Sequence, residues 1–163
     1  MSYSNPQQHS AEPAGDKNGS HAQSKGSISI TVTLFNSKVH TAGEQRTFKL
    51  HDLIGMHADP KIYVDKENLP LIKYSLLPGN SRAAGAFPIN ITAIVGDYDA
   101  GYVSIATAAD RLSAVGISAF FYTTRRHELA KPRWRVVAPL ANAISPDRFA
   151  EYMDAMNGAL GGI

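Results

Sequence analysis

Residues 89–122 constrain the fold more than any other stretch of the chain. Ile89-Asn-Ile-Thr-Ala-Ile-Val95 carries apolar side chains at both parities, as a strand does when both of its faces are covered. Gly96-Asp-Tyr-Asp-Ala-Gly101 ends that strand with residues that favour turns. Ser104 then offers an N-cap oxygen, and Ile105, Ala108, Ala109, Leu112 and Val115 recur at helical spacing. Gly116 is placed to follow the helix as its left-handed C′ residue. Ile117 to Tyr122 reads as an apolar, aromatic strand. Strand, helical crossover and strand need one sheet with a helix laid on it, and the crossover permits a parallel or mixed sheet. The expected class is α+β, a mixed sheet flanked by helices.

The flanking segments fit that frame. Ser27 to Phe35 alternates, with Ile28, Ile30, Val32 and Leu34 on one face and Ser29, Thr31 and Thr33 on the other, which predicts a half-buried strand. Thr47 to Leu50 suggests a short second strand, and Asp52 to Met56 one or two helical turns. Residues 57–88 contain Pro60, Pro70, Pro78 and Pro88 and predict loops with short extended pieces. Beyond Tyr122, a polar and basic connection leads to a strand over Trp134 to Ala138, closed by Pro139. Ser145-Pro146 places a cap and a proline at the start of a helix whose stripe is Phe149, Met153, Met156 and Leu160. Residues 1–26 show no apolar periodicity and predict a disordered tail, with one domain over 27–163.

Composition removes several classes of function. With no cysteine, thiolate metal sites, iron–sulfur clusters and cysteine nucleophiles are excluded. No apolar run approaches the roughly 18 residues of a membrane helix, and the polar N-terminus has no secretory h-region. A protein of the cytoplasm, with no membrane partner, is expected.

Three features carry chemistry. Asp97 and Asp99 are two apart at the end of a buried strand, so an extended backbone points both carboxylates the same way. Such a pair suits a hard divalent cation; it also suits an acidic turn that caps backbone amides, the commoner use of two such residues. The segment Thr123 to Arg135 holds five Lys or Arg against one Glu, more positive than the whole chain's net +2. Within it Arg133 and Arg135 flank Trp134, so alternation sets both arginines on one face. Arginines fixed on a sheet suit phosphate recognition, or they answer the aspartates in salt bridges. His127 lies in the same segment, and no other histidine shares metal-ligand spacing with it.

Taken in order, Gly-Asp97-Tyr-Asp99-Ala-Gly, the capped helix ending at Gly116-Ile117, the aromatic strand, Thr-Thr-Arg125-Arg126-His127, and Lys131-Pro-Arg133-Trp-Arg135-Val-Val-Ala-Pro-Leu140 resemble the primase-polymerase domains of plasmid, phage and prophage replication proteins. Those belong to the archaeo-eukaryotic primase superfamily. The likeness runs from about Ile89 to Gly162. It implies an α/β unit joined to a sheet like that of RNA-recognition modules, and metal-dependent nucleotidyl transfer on a DNA template from nucleoside triphosphates. It also implies a catalytic set of Asp97, Asp99 and His127. Asp97 and Asp99 would bind Mg²⁺ or Mn²⁺, and His127 would contact the incoming nucleotide. Arg125, Arg126, Lys131, Arg133 and Arg135 would bind nucleotide or nucleic acid. Arg125 and Arg126 depart from the smaller residues usual before that histidine, and the family's third acid, on a later strand, is not visible. Family members usually continue into a helicase, so a replicative helicase is an expected partner and a truncated or divergent copy is the expected form. Two other functions stay open at this point: a nucleic-acid-binding replication module without catalysis, and another metal-dependent phosphotransfer enzyme such as a nuclease.

Overall fold

The computed structural model describes residues 28–58, 65–83 and 85–163. The expected tail over 1–26 lies outside them. Among the described residues the chain forms strands β1 (Ser29–Phe35), β2 (Glu44–Lys49), β3 (Leu71–Lys73), β4 (Ser75–Leu76), β5 (Asn90–Tyr98), β6 (Phe120–Thr123) and β7 (Trp134–Ile144). The helices are α1 (Leu50–Ala58), α2 (Ile105–Ala114) and α3 (Phe149–Leu160). The α+β class is as expected.

The sheet arrangement is a correction. Among the described residues there are two sheets, ordered β2-β1-β3 and β4-β5-β7-β6, and every ladder is antiparallel rather than mixed. The α2 crossover does make β5 and β6 run the same way. However, β7 reverses from β6 and inserts between them, pairing with both.

The two faces of the larger sheet separate by alternation. Ile94, Tyr98, Trp134, Val136 and Ala138 pack with Ala108 and Leu112 of α2 and Met156 and Leu160 of α3. Ala93, Phe120 and Val137 point the other way, onto Ile30 and Val32 of β1, Leu53 of α1, and Tyr74. Tyr74 sits where the chain passes from β3 in one sheet to β4 in the other. Buried threonines stitch the sheets together: Thr33 Oγ1 donates to Ser75 O at 2.8 Å, and Thr92 Oγ1 to Thr31 O at 2.7 Å. Each main-chain oxygen thereby finds a donor where no ladder supplies one.

Several boundaries move for identifiable reasons. β6 begins at Phe120 rather than Ile117, because residues 115–117 close α2. Gly116 has φ 74°, its N–H bonds Ser113 O, and Ile117 N–H reaches back to Leu112 O. That is the Schellman pattern, with Leu112 and Ile117 in its apolar contact. β7 passes through Pro139 instead of stopping there. β6 pairs no further along β7 than Val137, and the β5 ladder shifts register between Ile91 and Ala93, so Pro139 sits at an irregular, half-open position. β2 runs Glu44–Lys49 rather than Thr47 to Leu50: its residues are exposed along nearly the whole strand, which leaves no alternation to mark its start, and Leu50 opens α1. Ser104 caps α2 as expected, its Oγ accepting from Thr107 N–H.

Candidate functional site

Asp97 lies inside β5 rather than after it. Cα register places it opposite Arg135 of β7, and Arg135 opposite Tyr122 of β6. Asp97, Arg135 and Tyr122 thus form one row across the sheet, on the face away from α2 and α3. The guanidinium meets the carboxylate edge-on, with Nε to Oδ1 at 2.5 Å and Nη2 to Oδ2 at 2.7 Å. On its other side Arg135 Nη1 donates to Tyr122 Oη at 3.3 Å. Hydrogen bonding to Asp97 raises the Arg135 pKa further above its already high value, against a partial burial that opposes it.

Two residues that sequence reading missed complete this row. His57, near the end of α1, lays its ring on Tyr122 at 4.5 Å and edge-on to Phe120 at 5.4 Å. Its Nδ1–H donates to Leu53 O at 2.9 Å, and its Nε2 faces Tyr74 Oη at 3.5 Å. Burial raises the pKa of the Tyr74 phenol, and the facing Tyr122 adds to the rise. An aromatic at every second residue, Phe120 and Tyr122, is the only sequence signal of this wall.

One step beyond, Asp99 follows the end of β5 and is largely exposed. Arg133 reaches it, Nη1 to Oδ1, at 3.6 Å. The Arg133 side chain is only 20% exposed, and its Nε is buried without a hydrogen-bond partner. Both arginines therefore answer the aspartates, as the salt-bridge alternative held. In this geometry Arg133 also keeps a donor unused.

The basic connection is a tight hairpin rather than a loose loop. Thr124 N–H donates to Arg133 O, and Glu128 and Lys131 pair across the tip. His127 folds back on the start of β7, with Nδ1 at 3.2 Å from both the N and the O of Arg133. Hence His127, Arg133 and Asp99 are linked in series at the strand ends. Arg125, Arg126 and Lys131 are exposed and make no ion pair among the described residues.

The turn after β5 is held from below. Tyr98 and Trp134 are ladder neighbours on the helix face, stacked at 4.6 Å. Tyr98 Oη accepts from Tyr102 N–H at 2.9 Å and Val103 N–H at 2.8 Å, and Trp134 Nε1–H donates to Val103 O at 2.8 Å. Gly101 has φ 85°, and a Cβ there would stand 2.6 Å from Lys131 Cγ, so only glycine lets the turn and the hairpin touch.

Among the described residues no three His, Asp or Glu side chains converge as a metal site. Asp97 and Asp99 are oxygen donors of the kind Mg²⁺ takes, and Mg²⁺ can be held by one or two carboxylates plus substrate phosphates. Both carboxylates are engaged by arginines, Asp97 by Arg135 and Asp99 by Arg133. No helix is long and apolar enough to cross a membrane among the described residues.

No protein-family model, curated protein or solved structure matches the chain.

Proposed function

We propose that this chain is a nucleotide-handling module of the primase-polymerase kind, acting in the cytoplasm on plasmid or phage DNA. The observation that carries the reading is the end of β5: Asp97 stands on the sheet face away from the helices, in register with Arg135 of the adjacent strand, and Asp99 just beyond it is reached by Arg133. The order β5-α2-β6-β7-α3, with β7 between β5 and β6, supports it, because this is the split strand–helix–strand arrangement of RNA-recognition-like sheets.

On this reading Asp97 and Asp99 would hold Mg²⁺ or Mn²⁺, which supplies charge neutralisation on the phosphates of a nucleoside triphosphate. Arg135 releases Asp97 and takes those phosphates, since guanidinium forks bind phosphate and carboxylate alike, while Arg133 lies with Lys131 toward the template backbone. His127 contacts the nucleotide from the hairpin. Arg125, Arg126 and Lys131 lie along the template strand, and a replicative helicase acts beside the module. The position on β7 facing Asp97 is occupied by Arg135, not an acid. Among the described residues the share of the cation site is therefore these two carboxylates, and slow incorporation is expected.

A primer-extension assay with Mg²⁺ and with Mn²⁺ tests the reading. Nucleotide incorporation that Asp97→Asn and Asp99→Asn each abolish is the expected result. Cleavage of the template instead would indicate a nuclease. The second reading, a nucleic-acid binder without catalysis, is favoured by the two-point Arg135–Asp97 contact. It predicts strand binding that Asp97→Asn leaves intact, with no incorporation under either metal.

A further inference from the structure

Tyr102 is 90% exposed, yet its backbone N–H is held by a buried side chain. Its N–H and that of Val103 both bond the Tyr98 phenol, and Val103 O takes the indole N–H of Trp134. The turn is thus anchored to two side chains that are themselves buried and stacked. Cations gather on the same turn. Lys131 lays its stem on Gly101, the residue before Tyr102, and Arg133 reaches Asp99 with its Nε left unpaired. The hairpin they belong to presents Arg125 and Arg126 beyond them.

We propose that Tyr102 is a stacking platform for an unpaired base of a single-stranded nucleic acid whose phosphates lie along Lys131 and Arg133. This rests on the reading of the basic hairpin as a nucleic-acid surface, and adds the form of nucleic acid it takes. Proteins that hold single strands combine a positive track for the backbone with aromatic faces for the bases. Duplex DNA keeps its bases stacked within the helix and offers no free face to a lone ring. A ring on a pinned turn has little backbone freedom to lose on binding, which favours stacking. The positive hairpin supplies charge complementarity to a polyanion, and it leaves a basic or purely apolar partner disfavoured.

The test uses the full chain and a fluorescently labelled oligothymidine of about twenty nucleotides, with a duplex of equal length as comparison. Tyr102→Ala is expected to weaken single-strand binding on the order of tenfold, within the range of one lost stacking contact. It should leave the salt dependence unchanged, because stacking releases no counterions. Tyr102→Trp is expected to restore affinity, and its emission to be quenched by the strand above the constant signal of buried Trp134. Wild-type affinity in Tyr102→Ala, or an equal loss on duplex, overturns the stacking role. If affinity survives Tyr102→Ala but falls with Lys131→Ala and Arg133→Ala, only the stacking role fails. If the wild-type chain binds neither oligonucleotide, the nucleic-acid reading fails with it.

Discussion

Arg135 and Asp97 stand directly opposite each other on β7 and β5, and the guanidinium occupies both oxygens of the carboxylate. A cation approaching Asp97 therefore competes with a fixed positive charge. Replacing that charge with a neutral amide, Arg135→Gln, should tighten Mn²⁺ binding about threefold or more when no nucleotide is present. Asp97→Asn should weaken it. Electron paramagnetic resonance of free Mn²⁺ reads both. Equal affinity in wild type and Arg135→Gln would remove Asp97 from the cation site.

The same pair should matter little to stability. Its side chains are 38% and 53% exposed, and partly solvated pairs contribute about 0–1 kcal/mol. Asp97→Asn is expected to shift the urea midpoint slightly. Trp134→Ala should cost roughly 3–5 kcal/mol, since its ring is buried between Tyr98 and Phe121. An Asp97 variant as damaged as the Trp134 variant would make the pair structural.

Tyr98→Phe keeps the stacked ring and removes one oxygen. Two N–H groups, those of Tyr102 and Val103, lose their acceptor. The expected cost is about 1–3 kcal/mol in chemical denaturation. Amide exchange should quicken at residues 102 and 103 and stay unchanged in β7.

Alkaline stability should report on Tyr74. Burial holds its pKa above the ordinary value of 10, so the folded chain keeps a proton that the unfolded chain gives up first. Stability from this group is complete below pH 10 and falls as pH rises beyond it. Tyr74→Phe should be less sensitive to pH over that interval. Parallel wild-type and variant curves above pH 10 would contradict the assignment.

Arg125 and Arg126 should contribute charge without specificity. Each phosphate contact adds roughly −0.7 to the slope of log K against log salt for single strands. Replacing both with alanine should flatten the slope by about one to one and a half across sequences. A slope that does not move would leave both arginines as solvated surface.

Much of this architecture was legible because single rules governed it. The alternation of β1, the two-sided apolar run of β5, and the Ser104 cap and Gly116 stop of α2 each follow from one local pattern. The site was legible as a list of charges but not as a geometry. Strict alternation put Arg133 and Arg135 on one face, yet nothing in sequence said that Arg135 faces Asp97, because register between β5 and β7 is set across 38 residues. His57 and Tyr74 were invisible for the same reason. They reach Tyr122 through a junction between two sheets, built from a segment whose prolines suggested loops with short extended pieces and gave no pairing for them. Tyr102 carried no signal in the sequence, since exposure is a property of the packed fold.

The central place of β7 sets when this half of the molecule can form during synthesis. β5 and β6 leave the ribosome first, and neither is the other's neighbour. Each waits for residues 134–144, which arrive several seconds after β5 at ordinary rates of elongation. Until then α2 has no completed sheet to lie across, and the apolar run of β5 is open to other chains. Folding here is gated by β7, so a ribosome stalled before Trp134 would present a nascent chain in which β6 has no partner strand and β5 has only β4, with a strong demand for chaperones.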